Sequence, residues 1–251
     1  MTDRFQNQVA IITGGADGIG KGVAKRLAAE GATVVLFDIN ENLLQQTVAE
    51  FNAQGHTVTG QVVDIAQERP VREAVENVAE TFGRLDIMVN AAGIVGPSST
   101  RITDYSVEEY DRVYAINLRG SFLMTKYAVD VMERNNYGRI LLLASIAGKE
   151  GNPFMAGYSS MKAGVIGLVK GIGKEYAETG ITVNGLAPAV IKTAMNENTA
   201  PEQLAYMTAK IPMKRLGTVN EVAAMAAWIV SAEASFTTGF VFDLSGGRAT
   251  Y

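Results

Sequence analysis

Apolar residues recur along this chain with two spacings. Runs of strand length fall at 9–13, 33–38, 57–63, 85–90, 139–144, 181–187 and 240–244. Several, such as Val9-Ala10-Ile11-Ile12 and Ile140-Leu141-Leu142-Leu143, are continuously apolar, as parallel strands covered on both faces are. Between them, at 20–30, 41–53, 70–82, 107–134 and 155–177, apolar residues stand three and four apart with Glu, Lys and Arg on the intervening positions, the spacing of amphipathic helices. Strand and helix alternate throughout, which predicts right-handed crossovers and an α/β fold: a doubly wound, seven-stranded parallel sheet with helices on both faces. The irregular stretch 191–218, where Pro201 and Pro212 bracket a helical piece, reads as a substrate lid without strand pairing.

Composition narrows the classes. A length of 251 residues suits one α/β domain with one well-buried core, and no linker, charge block or repeat marks a second. With 47% hydrophobic and 19% charged residues the chain reads as globular, and no run of about 18 apolar residues offers a membrane span. The mixed-charge start, Met-Thr-Asp-Arg-Phe-Gln-Asn, lacks a signal-peptide core, so a cytoplasmic setting is expected. There is no cysteine, and His56 is the single imidazole. Disulfides, thiolate nucleophiles and Cys-ligated metals are excluded, and no metal site is expected. A formal net charge of −4 without a Lys/Arg block speaks against nucleic acid as a partner.

The first candidate chemistry is a glycine-rich turn. Thr13-Gly14-Gly15-Ala16-Asp17-Gly18-Ile19-Gly20 follows the first strand and opens a helix. Glycines there allow a tight turn and close approach of backbone N–H groups to a pyrophosphate, which the helix N-terminus favours. The spacing is T-G-x-x-x-G-x-G rather than G-x-G-x-x-G. Asp38 ends the second strand, 18 residues past Gly20, where a carboxylate can accept from an adenosine ribose and repel a 2′-phosphate, so NAD is expected over NADP. The structural alternatives are a left-handed turn for the glycines and a helix cap for Asp38.

The second is a cluster of hydroxyls around a lysine. Ser145 follows the fifth strand, and thirteen residues on come Tyr158 and, one helical turn later, Lys162. The i,i+4 spacing brings the last two side chains together. A phenol with pKa near 10 becomes a base at neutrality only if its ionised form gains roughly 4 kcal/mol, which an adjacent ammonium and the charge of an oxidised nicotinamide would favour. Ser145 would donate to a substrate oxygen, and Asn117 could anchor a water relaying protons to Lys162. Without context, the Tyr and Lys also fit a surface pair, and the Ser a helix cap.

Over essentially its whole length the sequence resembles the short-chain dehydrogenase/reductase family. The resemblance rests on Thr13-Gly14 with Gly18 and Gly20, Asp64 after the third strand, Asn90-Ala91-Ala92-Gly93, Asn117, Ser145, Tyr158 with Lys162, and Pro188, all in order. It implies one Rossmann-type domain over residues 1–251 that moves a hydride between NAD(H) and a secondary alcohol or ketone. Cofactor contacts are implied for Gly14, Asp17, Gly18, Ile19 and Asp38, for Asp64 and Ile65 at the adenine, and for Asn90, Ala91 and Gly93 beside the adenosine ribose. Lys162 would hold the nicotinamide ribose next to Tyr158, with Pro188, Val190 and Thr193 bordering the nicotinamide and its phosphates. Positions 91 and 189, more often Asn and Gly in the family, are both Ala here. The resemblance further implies a homotetramer built on the helices at 107–134 and 155–177 and on the last strand.

For the substrate, Asp38 and the ending Phe242 to Tyr251, similar to that of sugar-acid dehydrogenases in the family, point to oxidation of a sugar, polyol or sugar-derived acid. Rival readings are a 3-oxoacyl thioester reductase and a catalytically idle dinucleotide sensor. Lys149, Glu150 and Asn152, close behind Ser145, and Met195 in the lid could face the substrate. His56, in a polar stretch, is assigned no role.

Overall fold

The protein is described from a computed structural model covering residues 3–193 and 201–251. Its elements, in order, are β1 (Val9–Thr13), α1 (Gly18–Ala29), β2 (Thr33–Asp38), α2 (Glu41–Ala53), β3 (Val58–Val62), α3 (Glu68–Phe82), β4 (Ile87–Asn90), α4 (Val107–Tyr114), α5 (Gly120–Glu133), β5 (Gly138–Leu143), α6 (Ile146–Glu150), α7 (Ala156–Glu175), β6 (Ile181–Pro188), β7 (Ile191–Lys192), α8 (Pro201–Ala209), β8 (Gly217–Thr218), α9 (Val219–Ile229) and β9 (Val241–Leu244). Seven strands form one parallel sheet in the order β3-β2-β1-β4-β5-β6-β9, as the alternation predicts.

The two-residue period of each strand sorts its side chains between two cores. Val9, Ile11, Val35, Phe37, Ile140 and Leu142 point to one face, where α3, α5 and α7 supply Val75, Met124, Val165 and their neighbours. Ala10, Ile12, Val34, Leu36, Leu141 and Leu143 point to the other, against Leu27 of α1, Phe51 of α2 and Val222 of α9. Each large side chain fully withdrawn in this way contributes roughly 1.5–3 kcal/mol. Helix starts are fixed locally: Asn40 caps α2 by accepting from Leu43 N, and Thr218 and Glu221 form a reciprocal capping box on α9.

Two expectations are corrected. The stretch 107–134 is not an uninterrupted α-helix, because a π-helical segment, Ala115–Arg119, separates α4 from α5. One extra residue per turn rotates Asn117 into the interior, where it is fully buried. The stretch 191–218 does contain strand pairing: β7 and β8 form a short parallel ladder, Ile191 opposite Gly217 and Lys192 opposite Thr218. Met195 and the polar run 196–199 lie outside the described residues.

Candidate active site at the carboxyl edge of the sheet

Because all strands are parallel, their carboxyl ends share one edge, and the chain leaves β1 and β4 there in opposite directions, opening a crevice at that switch point. Thr13, Asp38, Asn90, Ser145 and Pro188 end or follow successive strands at this edge.

The glycine turn has the geometry its chemistry needs. Gly14 has φ +61°, and a Cβ on it would stand 3.0 Å from the backbone of Ala92. A Cβ on Gly20 would lie 2.1 Å from the carbonyl oxygen of Gly14, so turn and helix are in backbone contact. Asp17 occupies the N-cap of α1 without making a side-chain cap, and the first-turn N–H groups of Gly18, Ile19 and Gly20 have no acceptor within the helix. Thr193 faces the turn, with its methyl 4.0 Å from the site of a Gly18 Cβ. A helix start without a side-chain cap, behind a turn rich in glycine, fits an anionic diphosphate.

Asp38 is half-buried and held at both oxygens. Oδ2 accepts from Ala16 N at 3.1 Å and Oδ1 from Asn40 N at 3.0 Å. The cap of α2 is Asn40 itself, so the carboxylate belongs to the turn and not to that helix. Beyond β3, Asp64 closes a local turn by accepting from Ala66 N at 2.9 Å, while Ile65 is buried against Gly120. Asn90 turns inward: it accepts from Thr13 Oγ1 at 2.7 Å and donates to Ser121 Oγ at 2.9 Å. Thr13 Oγ1 in turn accepts from Ala92 N at 3.0 Å. These bonds tie the glycine turn to the segment Ala91-Ala92-Gly93 and commit the Asn90 side chain to the interior. Pro188 is buried at the end of β6, and Val190, half-buried, accepts from Gly217 N at 3.1 Å.

The hydroxyl cluster assembles as the spacing predicts, with differences in detail. Tyr158 and Lys162 share one face of α7, Nζ lying 5.8 Å from the phenol ring centroid. Lys162 is buried and donates to the carbonyl of Leu143 at 2.6 Å. Desolvation pushes its ammonium down to about 8. Burial also pushes the Tyr158 phenol up, and hydrogen bonding to Ser145 pulls the other way. The expected lowering of the phenol by the ammonium is therefore not what the protein alone produces: the same desolvation drives both groups toward their neutral forms. Ser145 is at once a neighbour of Tyr158 and the N-cap of α6, accepting from Ala147 N at 3.1 Å. Asn117 has its side chain committed to Ile94, accepting from its N at 2.9 Å and donating to its O at 2.8 Å, rather than standing free for a water. A Cβ on Gly93 would lie 3.1 Å from Asn117 Oδ1 and 3.6 Å from Lys162 Nζ, so the loop after β4 passes directly over the lysine.

The residues behind Ser145 are engaged by another part of the chain. Lys149 pairs with Asp243 at 3.3 Å, Glu150 with Arg248 at 2.8 Å, and Asn152 accepts from Arg248 Nη2 at 3.1 Å. Sequence reasoning did not bring Arg248 or Tyr251 to the site, since nothing local links them to α6. It also missed Tyr105, whose buried hydroxyl has no partner among the described residues and whose ring stands against Gly157, beside Tyr158. His56 is half-buried with its ring edge-on to Phe51.

Comparison with known proteins agrees with this geometry. A family model described as enoyl-(acyl carrier protein) reductase matches residues 14–249. The 2-dehydro-3-deoxy-L-rhamnonate dehydrogenase (NAD(+)) of Sphingomonas sp. strain SKA58 is 44% identical over 248 residues, 99% of this chain and 98% of that one. A 3-oxoacyl-(acyl-carrier-protein) reductase of Thermotoga maritima is 36% identical over 244 residues, 97% of this chain and 98% of its own. Among solved structures, an NAD+-bound xylitol dehydrogenase superimposes with a TM-score of 0.92 at 30% identity, over 97% of this chain and 100% of that one. With a family model matched over residues 14–249 and relatives similar along nearly the whole chain, the chain belongs to the short-chain dehydrogenase/reductase family and is an oxidoreductase.

Proposed function

We propose that this protein oxidises a secondary alcohol of a sugar-derived acid to the ketone, with NAD as hydride acceptor. The observation that carries the reaction class is the convergence of Ser145, Tyr158 and Lys162 at the same sheet edge as the uncapped start of α1. The substrate class is supported by the 44% identity with a sugar-acid dehydrogenase along nearly the whole chain. The 3-oxoacyl reductase reading draws on a weaker likeness, and the carboxylate of Asp38 disfavours the phosphorylated cofactor.

In this reading Gly14, Gly18 and Ile19 cradle the diphosphate, with Asp17 at the helix start leaving those N–H groups open. Asp38 accepts from the adenosine ribose. Asp64 and Ile65 border the adenine, and Asn90 holds Ala91 and Gly93 beside the ribose. Pro188, Val190 and Thr193 border the nicotinamide end. NAD, when bound, supplies the hydride acceptor and a positive charge that favours a nearby phenolate. Ser145 donates to the substrate oxygen and aligns it. Tyr158, as the phenolate, would take the proton of the substrate hydroxyl and end as the neutral phenol. Lys162, anchored on Leu143, holds the nicotinamide ribose and stabilises the ionised Tyr158. Asn117 keeps the loop after β4 in place over Lys162 through Ile94. The proton acceptor is the Tyr158 and Lys162 pair, titrating as a unit.

The setting we propose is the cytoplasm, where NAD pools are kept oxidised, with the protein as one domain assembled as a homotetramer. Exposed Tyr110, Tyr114 and Phe122 on the α4 and α5 side, and Phe236 and Phe240 near β9, support an assembly that covers them. The deciding experiment is NAD reduction by the purified protein across sugar acids, polyols and hydroxyacyl thioesters. Turnover of a sugar acid well above the thioesters is expected; turnover of thioesters alone would replace this reading with the reductase.

A further inference from the structure

We propose that segment 243–251 is a positioning strap for Ser145, with Arg248 and Tyr251 holding the short helix α6 in the register that aims the Ser145 hydroxyl at Tyr158. The proposal rests on the reading of Ser145 given above.

The reasoning begins with α6, five residues long and capped by Ser145 itself. A helix of little more than one turn has no stability of its own, so the place of its N-cap is decided by whatever grips the helix. One grip comes from α7: a Cβ on Gly148 would lie 2.5 Å from the carbonyl carbon of Lys162, so the two helices are in backbone contact. Contact of that kind prevents approach but does not prevent α6 from sliding or unwinding.

The second grip is polar and comes from segment 243–251. Tyr251 donates its hydroxyl to the carbonyl of Lys149 at 2.6 Å, and its ring stands 5.3 Å from Lys149 Nζ. That carbonyl belongs to the last turn of α6, where carbonyls lack an N–H donor within the helix. Lys149 Nζ is paired with Asp243 Oδ2 at 3.3 Å. Asp243 is itself aimed: its other oxygen accepts from Ser245 Oγ, which accepts from Ala249 N at 3.1 Å. Arg248 closes the arrangement with a fork, Nε to Glu150 Oε2 at 2.9 Å and Nη2 to Asn152 Oδ1 at 3.1 Å. Asn152 N donates to Ser159 Oγ at 3.0 Å, so Arg248 joins the end of α6 to the residue after Tyr158. The far side of the strap is moored too, Gly246 O accepting from Met213 N at 3.1 Å.

Burial makes these contacts count. The side chain of Lys149 is 7% exposed and that of Arg248 10%. Breaking a shielded pair leaves an uncompensated charge, unlike breaking an exposed one. Four contacts directed at a helix of five residues, with a fifth to Asn152 just past its end, are more than is required to seat this segment. They set the helix that carries the Ser145 hydroxyl.

The test uses the full chain with Arg248→Ala and Arg248→Lys. In the cofactor-free protein, exchange of the Gly148 and Gly151 amides, which donate to Ser145 O and Ala147 O, should be about tenfold or more faster in Arg248→Ala while sheet amides keep their protection. With 2-dehydro-3-deoxy-L-rhamnonate as probe, kcat should fall about tenfold with KM for NAD unchanged, and Arg248→Lys should recover part of it by keeping one charged bond. In a Ser145→Ala background the Arg248→Ala change should cost less than about twofold, because the group it positions is gone. Unchanged exchange, or losses that multiply in full with Ser145→Ala, would overturn the strap. If the wild type does not turn over the probe, the substrate reading falls, and the exchange comparison alone decides the strap.

Discussion

Replacing Asp38 by Asn removes one charge from the cofactor site at almost constant shape, and its effect can be worked from the geometry. Both oxygens of Asp38 are fixed by backbone N–H groups, at 3.1 Å from Ala16 and 3.0 Å from Asn40. The charge therefore cannot swing away from an approaching phosphate. Two unit charges about 5 Å apart repel by about 0.8 kcal/mol at the dielectric constant of water and about 3 kcal/mol at an effective constant near 20. A phosphomonoester carries about −1.5 to −2 charges near neutrality, and the half-buried carboxylate lies between those two environments. With screening by salt, roughly 1.5–3 kcal/mol of discrimination is expected, about ten- to a hundredfold in kcat/KM. The amide of Asn cannot accept from both N–H groups, which costs about 1 kcal/mol, but this loss falls on both cofactors and cancels in their ratio. The assay is initial rates with NAD and NADP at one fixed alcohol. Wild type should prefer NAD by at least about tenfold, and Asp38→Asn should shrink that preference by about the same factor or more. A ratio unchanged within about twofold would show that another group decides the cofactor.

Tyr158→Phe should lower kcat at least about a hundredfold with NAD affinity nearly unchanged, read by steady-state rates beside a binding titration; retention of more than about a tenth of kcat would move the base elsewhere. Lys162, held down to about 8 against 10.5 when unfolded, leaves the unfolded chain binding the extra proton between those values. Stability of the cofactor-free protein should therefore rise as pH climbs from 8 toward 10, by as much as about 3 kcal/mol, and melting curves of Lys162→Met should lack that rise. Gly20→Ala sets a methyl 2.1 Å from Gly14 O and should destabilise the protein by about 2 kcal/mol or more, about 4–8 °C in Tm, with loss of NAD binding. Light scattering should find an assembly larger than a dimer at micromolar concentration, and a stable monomer would refute the proposed tetramer.

Much of the site was legible along the chain because its signals are local. Two hydrophobic periods carry the elements, since 3.6-residue and two-residue repeats follow from backbone geometry alone. The glycine turn is visible because only glycine tolerates the φ of Gly14 beside Ala92. Tyr158 and Lys162 are visible because one helical turn separates them. Asp38 is visible because it ends a strand.

The rest depends on what the sheet brings together from afar. The π-helical widening that buries Asn117 is not signalled by the spacing of apolar residues over 107–134. Asn90 reads as a ligand contact in the sequence, yet folding gives its side chain to Thr13 and Ser121. The ammonium of Lys162 and the phenol of Tyr158 shift toward neutrality because surrounding protein displaces water from them, a property of the enclosure that no window of sequence contains. Lys149, Glu150 and Asn152 stand four to seven residues from Ser145 in the chain, but their partners lie 94 to 98 residues further on, at Asp243 and Arg248. Periodicity thus determines which segments become strands and helices and where a turn or a helix face can carry chemistry, because those are short-range consequences of the backbone. Desolvation, long-range ion pairs and the aim of each side chain depend on neighbours distant in sequence, and only the tertiary structure decides them.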